Sequence, residues 1–363
     1  MPTDTTRVEE GAAASASRRS FWLRLMPGVL LTLIVGGWAF RDTHWAELWA
    51  SLRMADFLWL VPHVLLLQGV HFLRAWRWGR LLSGIEHVPF RYLNEATAVG
   101  NMLFVLMPLR LGEFARPVLI SRRSSIRASA ALTSVVLERI IDGVAVALLL
   151  EVALVWLGDG TDTLRYLRWG THLMLAGFLG LWGLLLLAYW QRALAVRLVE
   201  RFVGWVSPGL ARRVAELMDS FVGAVRQVSG PGQFLSTALL TVVLWAVNGL
   251  AIVVLAQAFG CEGQGSGCSP LSLDLFQSFV VLGVTVLTSM IPAAPGMMGT
   301  FQAGVKIALS LFLPAAVVNG SGLAFANVMW LATLLHQVAL GCWMLGVGTV
   351  RLQGLVARPI NAP

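Results

Sequence analysis

Residues 100–120 read GNMLFVLMPLRLGEFARPVLI, an apolar run broken in its middle by Pro108 and Gly112, with Arg110, Glu113 and Arg116 at the break. Proline removes a backbone donor and glycine loosens the chain, so a single unbroken helix is not expected here. In a membrane, charge and helix breakers within one apolar run are costly and mark a functional site by default. The rest of the chain decides whether that reading applies.

The rest of the chain is apolar. Of 363 residues 57% are hydrophobic and 13% charged, with 15 Trp and a mean hydropathy of +0.74. That composition excludes a water-soluble globule and indicates an all-α polytopic membrane protein. The net charge of +8 does not point to nucleic acid, because the basic residues are spread between apolar runs. They read as loops facing an anionic inner leaflet. Motifs of soluble enzymes (His-Glu-x-x-His, the phosphate-cradling Gly-x-x-x-x-Gly-Lys, Gly-x-Ser-x-Gly) are missing from the sequence. The expectation is therefore a protein that is not an enzyme and needs no cofactor.

Six apolar runs are read as full spans, at about 25–40, 55–73, 128–157, 169–190, 234–259 and 322–349, against the ~20 residues needed to cross a bilayer core. Two more, about 94–120 and 275–312, are interrupted by Pro and Gly. Residues 1–20 are polar and expected to be disordered. Within them, Ser17 to Phe21 has a twin-arginine pattern, which also serves simply to hold the start of the first helix in the cytoplasm.

Basic residues orient the spans. Nineteen Lys and Arg fall in residues 1–24, 74–93, 121–127, 191–230 and the tail, and four in the alternating loops. This asymmetry places both termini in the cytoplasm, and it requires segment 94–120 to enter and leave on the cytoplasmic side, as a re-entrant hairpin turning near Pro108. Segment 275–312 lies between loops without a basic residue, so it dips in from the opposite side and turns near Pro292 to Gly296. The order helix, hairpin, helix then occurs twice, over about 55–157 and 234–349, the second copy inverted. Pro108 with Gly112 recurs as Pro292 with Gly296. Paired Pro/Gly-broken segments in two halves of a membrane protein point to a transport site near the midplane. Between the units, about 192–228 reads as an amphipathic helix on the cytoplasmic surface. One transmembrane domain, 21–350, is followed by a cytoplasmic tail, 351–363.

Few charges remain inside the membrane. Arg110, Glu113 and Arg116 are spaced so that Glu113 could touch both arginines if the second arm is helical. Glu138 and Asp142 share a face of the next span, with Arg139 about 100 degrees round. These six either form a closed network that pins the hairpin or bind a ligand. The second hairpin has no acid. After Gly296 and Gly299 come Thr300, Gln302 and Lys306, the one lysine of the sequence. A helix starting there offers free N–H groups to an anion, while Lys306 could equally extend toward the outer interface. His336, Gln337, Asn248 and Asn327 are placed to line the same space. Cys261 and Cys268 flank a Gly-rich loop, CEGQGSGC, and are placed to form a disulfide if it lies outside the cytosol. Cys342 is read as a small buried residue. No metal site is expected.

Leu73-Arg74-Ala75-Trp76-Arg77-Trp78 with Leu81-Leu82, Pro108-Leu109-Arg110-Leu111-Gly112-Glu113 with Arg116, Glu138-Arg139 with Asp142, and Pro292 to Gly299 together resemble the lysylphosphatidylglycerol synthase transmembrane region, a flippase-like family. The chain is similar to the N-terminal flippase part of the multiple peptide resistance factor over roughly residues 20–350. It departs from that family in lacking the cytosolic aminoacyl-transferase domain and in having Met297-Met298 where glycine is usual. The resemblance implies a bacterial inner-membrane protein that moves lipids between leaflets, some members beside lipid-modifying enzymes; a lipid-modifying enzyme and a second copy of the chain, as a homodimer, are the candidate partners.

The expected function is transport of an anionic or modified lipid headgroup through a polar groove between the hairpins. Arg110, Arg116 and Arg139 would hold the headgroup, oriented by Glu113, Glu138 and Asp142. Gly296, Gly299, Thr300, Gln302 and Lys306 would form the other half of the site. The alternatives are a membrane-embedded enzyme or a scaffold for a lipid-modifying enzyme, and an ion-coupled carrier of a small anion.

Overall fold

The computed structural model describes residues 45–107, 112–157, 162–190, 231–260, 271–290 and 295–347, with isolated positions at 34 and 37 and between 191 and 209. Among them every regular element is helical: α1 Trp45–Met54, α2 Leu60–Leu82, α3 Phe90–Leu106, α4 Ala115–Ser121, α5 Ala128–Leu157, α6 Asp162–Trp190, α7 Pro231–Gln257, α8 Leu275–Ser289, α9 Thr300–Leu309 and α10 Leu323–Val347. A π turn, Val318–Gly322, leads into α10. Three stretches are long and apolar enough to cross a membrane: Phe57–Leu82, Leu235–Gln257 and Ala315–Val347. Large apolar side chains such as Leu65, Trp156, Leu173 and Trp343 stay exposed on the bundle, as expected where lipid tails rather than water cover the surface.

The two interrupted segments each form a pair of short helices. α3 has 17 residues and α8 has 15, fewer than the ~20 that span a bilayer. After α3 the chain turns back. Gly112 lies against the backbone of Leu103 and Phe104, and Gly100 against the Arg116 side chain, so α4 runs antiparallel to α3. In the second segment Gly304 lies against Thr285 and Thr288, so α9 runs antiparallel to α8. The start of α8 is set locally: the Asp274 carboxylate accepts from Gln277 N–H at 2.8 Å, and the Gln277 side chain accepts from Asp274 N–H at 3.0 Å, a reciprocal cap.

A Cβ at Gly112 would collide with main-chain atoms of Leu103 and Phe104, which cannot rotate away. Gly112→Ala is expected to destabilise the fold by about 1–3 kcal/mol through overpacking. Gly170→Ala, where nothing lies within 4 Å, serves as the control in a thermal unfolding comparison in detergent.

The hairpins pack reciprocally on the long helices. α2 lies on α7, α3 on α10 and α5 on α8. His63 reaches Ala251 while Arg80 reaches Ser236, so α2 and α7 are antiparallel. Leu150 meets Gly283 and Trp156 stacks on Phe276, so α5 and α8 are antiparallel too. Small residues permit the close approaches: Gly283 to Leu150, Gly249 to Phe279 and Gly341 to Met102. α6 covers α5, with Phe178 over Gly143.

Three expectations are corrected. The span read as 55–73 continues to Leu82, because Trp78, Leu81 and Leu82 are fully buried on one helix face. Arg74 and Arg77, counted as cytoplasmic loop residues, are therefore inside the bundle. Cys342 is exposed on α10, with its thiol 3.7 Å from Met102 Sδ. Residues 1–20, most of the run 25–40, Pro108 and Arg110, nearly all of the amphipathic stretch 192–228, the Cys261–Cys268 loop, Pro292 and the tail lie outside the described residues.

Candidate functional site

The site begins on α5. The sequence Leu137-Glu138-Arg139-Ile140-Ile141-Asp142 puts Glu138 and Asp142 one turn apart on the same face, and both are buried. The partner that neutralises them comes from α2. Arg77, fully buried, places Nη2 2.7 Å from Glu138 Oε1. Its Nη1 lies 2.5 Å from Asp142 Oδ1 and donates to Thr241 Oγ1 at 2.8 Å. One planar guanidinium thus bridges two carboxylates and a hydroxyl, a geometry that Lys cannot reproduce.

The other members join around this fork. Arg116 on α4 donates to Glu138 Oε2 at 3.1 Å, and its guanidinium lies 4.4 Å from the centroid of Trp78, within cation–π range. The Trp78 indole N–H donates to Ser134 Oγ at 2.9 Å. The Trp245 indole N–H on α7 donates to Asp142 at 3.1 Å. Arg139 is held loosely, 3.9 Å from Glu138 and 3.8 Å from Asp142, with 45% of its side chain exposed. Glu113 acts electrostatically on Arg139, and Arg74 sits in the field of Arg139, Asp142, Glu138 and Arg77. Four guanidinium groups and three carboxylates, among the described residues, leave one positive charge over.

That excess faces a cavity of about 270 Å³ lined by α2, α3, α5, α7, α8, α10 and the turn before α9. Arg74, Arg139 and Trp245 lie on its wall, so the ion-pair network is the cavity's backing. Three histidines also line it. His63 Nδ1 is 2.8 Å from the Ala251 carbonyl, His71 Nε2 is 2.8 Å from Asn94 Oδ1, and His336 Nε2 is 3.0 Å from Gln68 Oε1. Each ring thus spends one nitrogen on holding two helices together.

The second hairpin meets the cavity through Leu282, Thr285, Val286 and Ser289 on α8 and, beyond its turn, through Met297 and Phe301. Met297 holds a left-handed φ of 54°, between Gly296 at 74° and Gly299 at 87°, a conformation costing a side-chain-bearing residue about 1–2 kcal/mol. This is one of the two positions where the resemblance leads one to expect glycine.

At the helix start expected to offer free N–H groups, the Gly299 N–H is already taken. Gly299 N–H donates to Gln302 Oε1 at 2.7 Å, Gln302 Nε2 reaches Asn327 at 3.3 Å, and the Thr300 hydroxyl donates to Met297 O at 3.0 Å. The carbonyl of Gly296 accepts the Trp330 indole N–H at 2.7 Å. Gly296, Gly299, Thr300, Gln302 and Lys306 are absent from the cavity wall.

Of the first hairpin's charges, Arg110 is outside the described residues, and Glu113 sits in a tight turn at 112–114 rather than in the helical arm. Arg116 therefore pairs with Glu138 on α5. The sequence reading missed Arg77 as the centre of the network and His63, His71 and Arg74 as cavity residues. The signal for Arg77 was present: Trp78, Leu81 and Leu82 extend the apolar period of α2 past it.

Comparison with known proteins agrees with this architecture. The family described as the lysylphosphatidylglycerol synthase TM region matches residues 25–341. A curated relative, glycosyltransferase AglD of Haloferax volcanii, is 25% identical over 257 residues, covering 62% of this chain and 39% of that protein. The chain thus spans about two fifths of the length of that relative. No solved structure matches the chain. With a family match running through both broken segments and the arginine–carboxylate network, the chain belongs to the lysylphosphatidylglycerol synthase transmembrane-region family of membrane proteins.

Proposed function

We propose that this protein moves an anionic lipid headgroup between leaflets through the cavity that Arg74 and Arg139 line, while the acyl tails stay in the bilayer. The observation that carries this reading is a cavity of about 270 Å³ inside an apolar helical bundle, with Arg74 and Arg139 among the residues that line it, backed by a network with an excess of arginine. Irregular backbone at membrane depth is tolerated where it lines such a cavity, and the turn of the second hairpin meets that condition through Met297. In this reading 21–350 is one transmembrane domain of six full spans and two re-entrant hairpins in an inverted repeat. It sits in a bacterial inner membrane with both termini cytoplasmic. The protein is a transporter rather than an enzyme, and a lipid-modifying enzyme supplies its substrate. The reciprocal packing of α3 on α10 and α5 on α8 supports the repeat.

Reconstitution tests it. Purified protein in liposomes should accelerate leaflet exchange of labelled anionic lipids, and failure with every anionic, aminoacylated and polyprenyl lipid tried would remove the core of the proposal. Topology is tested separately. Single cysteines replacing Leu103 and Val118, on the two arms of the first hairpin, should react with a membrane-impermeant reagent from the cytoplasmic side only. Labelling of either from outside would contradict the re-entrant hairpin.

The printed name of the relative, a glycosyltransferase, favours a second reading, a membrane-embedded part of a lipid-modifying system. A chemically altered lipid recovered from the same liposomes would support it. Uptake of a soluble anion would instead identify an ion-coupled carrier.

A further inference from the structure

The wall of the cavity is chemically one-sided. Its two charged groups among the described residues are both cationic, Arg74 and Arg139, and no Asp or Glu lines it. The nearby acids Glu138 and Asp142 are buried against Arg77.

Three of the residues that line it, on three different helices, each carry one buried polar atom without a protein hydrogen-bond partner: Nε2 of His63 on α2, Oγ1 of Thr285 on α8 and Oε1 of Gln337 on α10. His63 and Thr285 are both more than nine-tenths buried. Orphaned buried polar groups are uncommon in folded proteins, and three on one cavity point to a ligand that completes them.

The direction of each missing bond narrows that ligand. His63 Nδ1 faces the Ala251 carbonyl at 2.8 Å and must donate to it, so Nε2 of the neutral ring is an acceptor. Gln337 Oε1 is an acceptor, and the Thr285 hydroxyl takes either role. Two of the three therefore need a donor. A phosphate diester has none. An ammonium group has donors, but it would enter a space carrying two guanidinium groups and no carboxylate, where like charge repels it. Neutral hydroxyls donate without that penalty.

We propose that the cavity binds a phosphate-linked polyol headgroup, the phosphodiester on Arg74 and Arg139 and ring or chain hydroxyls on His63, Thr285 and Gln337, and that it disfavours amine-bearing headgroups. This rests on the transport reading only for the source of the ligand, and its test is one of binding.

Purified protein in detergent is titrated calorimetrically with dioctanoyl phosphatidylinositol, dioctanoyl phosphatidic acid, dioctanoyl lysylphosphatidylglycerol and free myo-inositol phosphate. Phosphatidylinositol should bind about tenfold more tightly than phosphatidic acid or the lysyl lipid, the size of one or two hydrogen bonds. Thr285→Val, nearly isosteric, should reduce that preference severalfold while leaving phosphatidic acid binding unchanged. His63→Phe should do the same, and Arg139→Gln should weaken all the phosphate ligands.

Tightest binding by the lysyl lipid, no preference between phosphatidylinositol and phosphatidic acid, or an unchanged preference in both the His63 and Thr285 variants would overturn the assignment. Free inositol phosphate binding as tightly as its lipid would uphold the headgroup chemistry and overturn the lipid as its source. Preferred binding of phosphatidylinositol without leaflet exchange would uphold this site and sink the transport reading. Exchange of a preferred lysyl lipid would do the reverse.

Discussion

Arg77→Met is expected to destabilise the protein by about 3–5 kcal/mol, because breaking a buried ion pair from one side leaves uncompensated charge behind. The prediction is specific to this position. Arg77 is fully buried and is the shared partner of Glu138 and Asp142, while Thr241 accepts a further hydrogen bond from it. Removing it strands two carboxylates inside an apolar bundle, with Arg116 at 3.1 Å from Glu138 and Arg139 near 3.8 Å from Asp142 as their remaining cations.

Adding Glu138→Gln and Asp142→Asn to Arg77→Met should recover most of the loss, since a network emptied of charge costs little compared with one that is half empty. Thermal unfolding in detergent reads both variants. An unfolding temperature for Arg77→Met within about 2 °C of the parent would mean that this network does not hold α2, α5 and α7 together.

Arg139→Gln should behave in the opposite way, with nearly normal stability and a large loss of leaflet exchange. Its carboxylate contacts are long, at 3.8 and 3.9 Å, and almost half of its side chain is open to the cavity. Partly exposed pairs of this kind contribute about 0–1 kcal/mol. A guanidinium that holds an anionic headgroup contributes about 1.5–3 kcal/mol of charge-assisted hydrogen bonding, so exchange should fall roughly ten- to a hundredfold. Measuring unfolding and exchange on one preparation separates the two roles. Unimpaired exchange by Arg139→Gln would take Arg139 out of the transport path and leave the cavity's charge without a function.

The two positions show how far the sequence could be read. Glu138 and Asp142 were recognisable as a pair, because an interval of four residues on a long apolar helix puts them on one face whatever packs against it. Their partner was not recognisable. Arg77 lies 61 and 65 residues away, beyond the end of a run that charge counting had already ended at residue 73. Positive-charge counting treats an arginine after an apolar run as a loop residue, and it fails where a buried carboxylate on another helix draws that arginine inward. The same long-range pairing explains Arg116, which local spacing offered to Glu113 and the fold gave to Glu138.

The second hairpin shows the converse error. An anion site was inferred from a helix start after Gly299, but Gln302 reaches back to the Gly299 N–H at 2.7 Å. The side chain three residues along takes up that donor. Met297 and Phe301, with no hydrogen-bonding chemistry to attract notice in the sequence, line the cavity from this hairpin's second half, and Thr285 and Ser289 on α8 from its first.

Membrane residence, the all-helical class, the position of both broken segments and the acidic pair on α5 follow from the sequence alone. Each depends on composition or on spacing within one helix, where the period of the backbone dictates which residues share a face. The tertiary structure decided which charges meet and which residues line the cavity. Those pairings join residues far apart in the chain, such as Arg77 with Asp142 and His63 with Ala251. They depend on how α2, α5 and α7 pack side by side, which no local period encodes.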